Sequence, residues 1–160
     1  MADLPDLSEP VARTLALGDE LIALFNRRGM DIPDGLFDRQ AQFRLNGRPF
    51  EETLGRDPAD PLVLMLTRGG AGYRLTTKAV QHALLEARAD RGPFEVERDG
   101  ARTIVEGLIR LTGRLRGTGA PFDTTFIVRL ELTADCRIAA ADARMEDGSF
   151  GRLRTARQLP

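Results

Sequence analysis

The sequence has few of the residues that bind metals or form disulfides. Its 160 residues include one cysteine, one histidine, one tyrosine and no tryptophan. The single cysteine, Cys136, excludes an internal disulfide, and with the single histidine, His82, it cannot form a Cys/His zinc cluster. A carboxylate-rich metal site has no supporting motif. We therefore predict neither a metal nor a cofactor.

The chain also lacks an excess of charge of either sign. It carries 23 basic and 24 acidic residues, for a formal net charge of −1, so no net field attracts it to nucleic acid or to an anionic membrane. No apolar run approaches the ~20 residues that span a bilayer. The first residues, MADLPDLSEP, lack the apolar segment of a secretory signal. We expect a cytoplasmic protein with no nucleic-acid or membrane partner.

Helical signals dominate the first half of the chain. Apolar residues at helical spacing predict an amphipathic helix from Ser8 to about Arg28. Asn46-Gly47 between two extended segments predicts a tight hairpin, because both residues tolerate positive φ. Asp60 as a cap and Pro61 in the first turn favour a short helix. A second amphipathic pattern predicts a longer helix from about Ala71 to Ala89.

The second half alternates with period two. After Gly92-Pro93, four segments of strand character are separated by turn signals at Asp99-Gly100, Gly117–Ala120 and Ala134-Asp135. These signals predict a four-stranded antiparallel meander. We interpret residues 1–151 as one domain and residues 152–160 as a solvated C-terminal tail.

One stretch, GRLRGTGAPFDTTFIVRLELTADCRIAAADARMED, combines a strand, a glycine-rich turn, a strand, a short turn and a final strand. Together with the element order from Ser8 to Asp147, it resembles the nuclear transport factor 2-like superfamily, especially its SnoaL-like and ketosteroid-isomerase-like members. The resemblance implies an α+β fold in which N-terminal helices pack in a curved, mostly antiparallel β-sheet, a cone-shaped α+β barrel. It also implies that the inside of the cone commonly holds a small apolar molecule.

Alternation along segments 103–116 and 121–132 separates an apolar face from a charged face. A four-residue loop, Gly117–Ala120, would place Leu108 near Arg129, and registers shifted by two residues would keep the same faces together. On the apolar face and the last strand we predict the ligand-binding residues Ile109, Leu111, Phe126, Val128, Leu130 and Ala141. Small side chains in the run Ala139–Ala141 either leave room for a ligand or allow another element to approach closely.

The charged face carries Glu106, Arg110, Arg129 and Glu131. An acid/base cluster would require these charges to be buried, and a buried, unscreened charge costs far more than an exposed ion pair returns. The pattern therefore favours a solvated outer surface. Because Leu108 and Ile127 share this face, it also predicts a homodimer through the outer sheet face.

Three polar residues are candidates for catalysis. By the resemblance, SnoaL-like cyclases move a proton with a single Asp or His; Asp142 could do so if it points inward, assisted by His82 or Tyr73. The alternatives are a solvent-facing or arginine-paired carboxylate, an exposed helix histidine and a packing tyrosine. The chain departs from ketosteroid-isomerase-like members, which need a carboxylate where Arg44 to Asn46 stand. It also departs from epoxide-hydrolase-like members, whose acid position Ala143 occupies.

Two functions follow from these observations. The first is a small apolar-ligand-binding protein acting as a SnoaL-like cyclase or isomerase by acid/base catalysis. The second is a non-catalytic dimeric module of the same fold that binds a ligand or a protein. They differ in whether Asp142, His82 and Tyr73 converge on one enclosed cavity.

Overall fold

The computed structural model describes residues 8–29, 31–50, 52, 57, 59–100 and 102–157. Within them the order is α1 (Ser8–Asn26), β1 (Phe37–Leu45), β2 (Arg48–Pro49), α2 (Pro61–Thr67), α3 (Gly69–Ala83), β3 (Leu84–Asp99), β4 (Arg102–Leu115), β5 (Pro121–Leu132), β6 (Ile138–Arg144) and α4 (Asp147–Arg157). The strands form one curved, open sheet in the order β2-β1-β6-β5-β4-β3. The predicted α+β cone fold is confirmed. The predictions for residues 1–7 and 158–160 lie outside the described residues.

The sheet is antiparallel except where β1 runs parallel to β6. Helix α1 begins and ends close to the predicted residues, and it buries Val11, Leu21 and Phe25. Helix α2 is capped as predicted, because the Asp60 side chain accepts a hydrogen bond from the Leu62 amide at 2.9 Å. Among the described residues, no helix is long and apolar enough to cross a membrane.

The predicted hairpin at Asn46-Gly47 is also confirmed. Both residues have positive φ, 52° and 79°, and they join β1 to β2 in a two-residue turn. The Asn46 side-chain oxygen accepts from the Met145 amide at 2.8 Å, and the Asn46 amide donates to the Ala143 carbonyl at 2.9 Å. The turn is therefore fastened to the end of β6.

Strands β4 and β5 pair in a register that places Leu108 opposite Ile127 and Glu106 opposite Arg129. The expected pairing of Leu108 near Arg129 is wrong by two residues, because β4 ends at Leu115 and residues 116–120 make a longer connection. A shift of two residues leaves the faces unchanged. The sheet thus has an inner face, which faces the helices and carries Val105, Ile109, Leu111, Phe122, Phe126 and Leu130, and an opposite outer face.

The helix predicted to reach Ala89 ends at Ala83, and Leu84–Asp99 form one long strand. Leu84, which is fully buried, pairs with Leu115, and this pairing overrides the local helical pattern. Strand β3 also runs through Gly92-Pro93, where we expected it to begin. A bulge between Arg91 and Phe94 accommodates the Gly-Pro pair within the strand. A second bulge lies beside Glu86, whose φ is 56°.

The predicted solvated tail over residues 152–160 is corrected for residues 152–157. These residues complete α4, in which Leu153 and Ala156 are buried in a core cluster with Leu84 and Phe122. The Arg152 guanidinium lies 5.2 Å from the centre of the Phe122 ring. Because Leu153 and Ala156 are buried in one cluster with Phe122, α4 belongs to the folded domain. Full burial of a large apolar side chain such as Phe122 contributes about 1.5–3 kcal/mol.

Close packing between β3 and β4 depends on Gly107. The Phe94 ring lies over this glycine, and a Cβ built at Gly107 would fall 1.3 Å from a Phe94 ring carbon. Phe94 therefore reaches the inner face across a neighbouring strand that has no side chain at the point of contact.

Gly107→Ala should lower the free energy of unfolding by about 1–3 kcal/mol, because the added methyl group and the Phe94 ring cannot share one space. Gly18→Ala is the matched control. Gly18 lies inside α1, and a Cβ there would meet no atom within 4 Å, so this change should raise the free energy of unfolding by about 0.5–1 kcal/mol. Denaturant unfolding measures both values. A Gly107→Ala protein as stable as the wild type would contradict the packing of Phe94 on Gly107.

Candidate functional site

A cavity of about 280 Å³ lies between α1, α3 and the inner face of the sheet. A second space of about 190 Å³ lies towards α4 and shares Phe50, Val80 and Phe126 with the first. Most of the side chains around both spaces are hydrocarbon or aromatic. The helices therefore leave part of the concave side of the sheet unfilled.

The strands supply one wall of the cavity. The structure places all six residues predicted to bind the ligand on this wall: Ile109 and Leu111 from β4, Phe126, Val128 and Leu130 from β5, and Ala141 from β6. They share the inner face because β4, β5 and β6 pair in registers that keep their alternation in step. Their binding of a ligand stays a prediction.

The alanines of β6 divide between the two faces. Ala141 and Ala143 pair with Leu130 and Val128 and line the cavity, whereas Ala140 lies on the outer face opposite Glu131. A methyl group is the smallest side chain that keeps strand geometry without the freedom of glycine. The inner alanines therefore leave space where larger apolar residues would fill the cone.

Tyr73 is the candidate catalytic residue that lines the cavity. Its ring stacks on Phe37 with the ring centres 5.4 Å apart. Burial raises the pKa of Tyr73, and a hydrogen bond with Thr77 partly offsets this effect. The hydroxyl is thus a neutral hydrogen-bonding group at the edge of an apolar space.

Asp142 faces away from the cavity. In the sheet register it lies opposite Arg129 of β5 and Arg44 of β1. One carboxylate oxygen accepts from the Gly47 amide at 3.2 Å, and the other lies 3.3 Å from Nε of Arg144. Its contacts therefore fasten the β1–β2 hairpin to β6 on the outer face.

His82 lies in the last turn of α3, where it is exposed. Its carbonyl accepts a hydrogen bond from the Arg116 guanidinium. Among the described residues, the lining of the cavity includes neither His82 nor Asp142. The structure therefore does not bring Asp142, His82 and Tyr73 together.

The four charged residues of the outer face are engaged in exposed ion pairs. Each bridges neighbouring strands, and the Arg110 hydrogen bonds lower the pKa of Asp123. Their partners follow from the register of β4 and β5. The pairs are Glu106–Arg129 at 3.5 Å, Arg110–Asp123 at 2.6 Å and Arg102–Glu131 at 3.3 Å.

Two contacts between α1 and β3 were not predicted. The Asn26 side chain donates to the Ala89 carbonyl at 2.9 Å and accepts from the Ala89 amide at 2.7 Å. About two helical turns earlier, Asp19 binds Arg91 through both carboxylate oxygens, one of them 3.1 Å from Nη2. Arg91 also lines the cavity. Of the two bulges of β3, one lies at Gly92-Pro93, and the other, between Leu85 and Arg88, has no clear sequence signal and decides the side to which Arg91 points.

The small number of ionisable side chains around the cavity limits the chemistry of the site. In the described part of the chain, the ionisable residues that line this cavity are Tyr73, Arg91 and Arg44, with no carboxylate and no histidine. Arg44 borders it only from β1, since it lies opposite the outward-facing Asp142 and is exposed. No group of three or more His, Cys, Asp or Glu residues is placed to hold a metal ion in these same ranges. The arrangement can bury an apolar molecule and offer hydroxyl and guanidinium hydrogen bonds.

Comparison with known proteins supports the fold. No protein-family model matches the sequence, and neither does any curated protein. Solved structures do match: an NTF2-like protein of unknown function from Exiguobacterium sp. 255-15 is 16% identical with a TM-score of 0.55, over 84% of this chain and 98% of that chain. The predicted resemblance to the nuclear transport factor 2-like superfamily is confirmed at the level of fold.

Two further structures carry functional descriptions of their own. A candidate SnoaL-like polyketide cyclase from Jannaschia sp. CCS1 is 12% identical with a TM-score of 0.59, over 98% of this chain and 99% of that chain. A candidate isomerase from Bacillus subtilis is 18% identical with a TM-score of 0.56, over 92% of this chain and 97% of that chain. At such identities the likeness establishes a shared fold and not a shared activity.

The ionisation of Tyr73 should be measurable directly, because Tyr73 is the only tyrosine in the chain. In an absorbance titration, the native protein should form tyrosinate at a higher pH than the same protein in denaturant, since burial favours the neutral hydroxyl. The raised pKa stabilises the fold below the ordinary tyrosine value of about 10, and this contribution is lost as the pH rises through the native pKa. Tyr73→Phe should abolish that dependence. A native midpoint equal to the denatured one would contradict the buried position of the hydroxyl.

Proposed function

We propose that this protein binds a small, mainly apolar molecule in the cavity between α1, α3 and the sheet. The observation that carries the proposal is the apolar wall built by three strands, in which Ala141 and Ala143 leave space beside larger side chains. Unfilled space in a protein core forfeits dispersion contacts. A ligand that occupies it restores those contacts and removes its own apolar surface from water.

Tyr73 could form a hydrogen bond with a polar atom of that ligand. Tyr73 lines the cavity, and its hydroxyl is hydrogen-bonded with Thr77. Because a hydroxyl has one donor and two acceptor positions, it keeps capacity for a second hydrogen bond with a hydroxyl group of the ligand. The hydroxyl of Thr76, a neighbouring lining residue, is already bonded to the Gly72 carbonyl at 2.9 Å. A buried polar group fixes the orientation of a ligand that hydrocarbon contacts alone would hold loosely.

Acid/base catalysis of the SnoaL-like kind is supported by the shared fold but not by the positions of Asp142 and His82. The candidate cyclase and isomerase share the fold, but a general base must lie within hydrogen-bond reach of the proton that it removes. Asp142 is engaged by Gly47 and Arg144 on the outer face. We therefore propose a binding role and assign no catalytic role to Asp142 or His82.

A neutral fluorescent dye, N-phenylnaphthylamine, tests the proposal because it emits strongly only in apolar surroundings. The wild type should bind it with saturable emission, and Ala141→Leu should weaken binding at least tenfold by occupying the cavity. Ala140→Leu is the matched control, since it adds the same group to the outer face of the same strand. Tyr73 emission should fall on binding, because energy passes from this single tyrosine to a dye held nearby.

Equal dye affinity in the two alanine variants would contradict binding in the cavity. So would saturable binding without any change in Tyr73 emission. Thermal unfolding of both variants controls for loss of the fold.

We also propose that two copies associate through the outer face of the sheet. Leu108 and Ile127 are paired at its centre and are 43% and 40% exposed. Ion pairs of both signs flank them, notably Glu106–Arg129 and Arg110–Asp123. Because a two-fold axis brings a surface against itself, a face that carries both charges can be self-complementary.

Sedimentation velocity over a range of concentrations tests this association. The wild type should sediment as a dimer, and Leu108→Asp should shift it to a monomer by placing an unpaired charge in the contact. Leu66→Asp is the control, because Leu66 is similarly exposed, at 49%, but lies on α2. A monomeric wild type, or equal dissociation by both variants, would contradict the proposed contact.

A further inference from the structure

We infer that the cavity accepts an apolar molecule with an anionic head group, such as a carboxylate, and that Arg91 binds that head group. The inference rests on the proposed binding function and specifies the class of ligand. It is carried by the position of Arg91, by the hydrogen bonds that its guanidinium already makes, and by the space beside Gly18.

Arg91 lies on the inner face of β3. It pairs with Ile109, whose side chain is buried in the core, and it lines the cavity between two bulges of the strand. Its guanidinium carbon is 5.2 Å from the centre of the Phe94 ring, which also lines the cavity. The charge is therefore held over an apolar wall, while the side chain stays 31% exposed. Such a position suits a head group that remains near water while its body is buried.

The Asp19 carboxylate uses one edge of the guanidinium. Nε and Nη2 donate to its two oxygens, whereas Nη1 makes only a long contact of 3.4 Å to the Gly92 carbonyl. Arginine has five N–H groups, so the end of the fork formed by Nη1 and Nη2 keeps donors for a second acceptor. Asp19 thus holds Arg91 in place without using all of its hydrogen-bonding capacity.

The charges around the cavity also favour an anion. In the described part of the chain, its lining includes no carboxylate, and Arg91 is the cation on its inner wall, since Arg44 lies opposite the outward-facing Asp142. Asp19 pairs with Arg91 from outside this lining and is 47% exposed. A ligand anion would therefore meet the Arg91 guanidinium, with Asp19 as the acidic group bound to it.

Gly18 leaves room at this point. It precedes Asp19 in α1, lines the cavity, and has no neighbour within 4 Å of an added Cβ. Glycine inside a helix lowers helix stability relative to alanine, and no contact in the fold requires it here. Gly18 and Arg91 line the same cavity, so the space left at Gly18 is available to a head group.

Two dyes that share one apolar body test the inference: neutral N-phenylnaphthylamine and its sulfonated counterpart, anilinonaphthalene sulfonate. Arg91→Gln should weaken binding of the sulfonate about tenfold, the loss expected for a charge-assisted hydrogen bond. Its affinity for the neutral dye should change less than about twofold by the same reasoning, since apolar burial is kept. Asp19→Asn should strengthen sulfonate binding, because it keeps an oxygen for Arg91 but removes the opposing charge.

Arg114→Gln is the matched control. Arg114 donates through Nε and Nη2 to the two oxygens of Glu86, at 3.3 and 3.1 Å, in the same arrangement as Arg91 and Asp19, but on the outer face. Sulfonate binding should be unchanged in this variant. Equal weakening by Arg91→Gln and Arg114→Gln would overturn the inference.

The remaining outcomes separate the two proposals. If the wild type binds the neutral dye and Arg91→Gln leaves sulfonate binding intact, the anion site is refuted and the cavity proposal stands. If the wild type binds neither dye, both are refuted. Weaker sulfonate binding by Asp19→Asn would also count against the anion site, because the variant removes a charge that repels the sulfonate and keeps one acceptor oxygen for Arg91.

Discussion

The pairing of β4 with β5 is the constraint on which the rest of the molecule depends. Glu106 lies opposite Arg129 and Ile109 lies opposite Phe126, so one face collects charges and the other collects hydrocarbon. A slip of one residue would turn the charged set towards the helices and expose the apolar set to water. The burial of Ile109, Leu111 and Phe122 on a single face therefore fixes where the ion pairs must lie.

The same alternation determines where a cavity can form. Strand β6 continues the inner face with Ala141 and Ala143, and its small side chains meet α1 and α3 across an incompletely filled space. Other parts of the inner face are closely packed: Phe94 covers Gly107, and α4 packs Leu153 into the core. The unfilled space on the inner face therefore lies beside α1 and α3, where β6 contributes its smallest side chains.

Local signals were sufficient where one physical cause dominates. The cap at Asp60, the paired positive-φ residues Asn46-Gly47 and the alternation of β4 and β5 all predicted their elements, and the element order led to the fold. The signals failed where distant contacts decide. Leu84 fits a helix by its spacing, but it becomes a strand residue because Leu115 is available to pair with it. Residues 152–157 look polar, yet α4 forms because Leu153 and Ala156 find a core to enter.

The candidate site could likewise be predicted only in part. The six apolar wall residues followed from the alternation of their strands, whereas the side to which Arg91 points depends on a bulge that the alternation does not predict. In β3 the inner-facing residues are Leu84, then Ala89 and Arg91, and then Phe94, because each of two bulges changes the parity once. The first bulge turns Arg91 inward. In β6 an irregularity lies between Ile138 and Ala140, and beyond it the alternation that puts Ala141 and Ala143 on the inner face turns Asp142 outward to Gly47 and Arg144. The chemistry available to the cavity is therefore set by where the sheet is irregular.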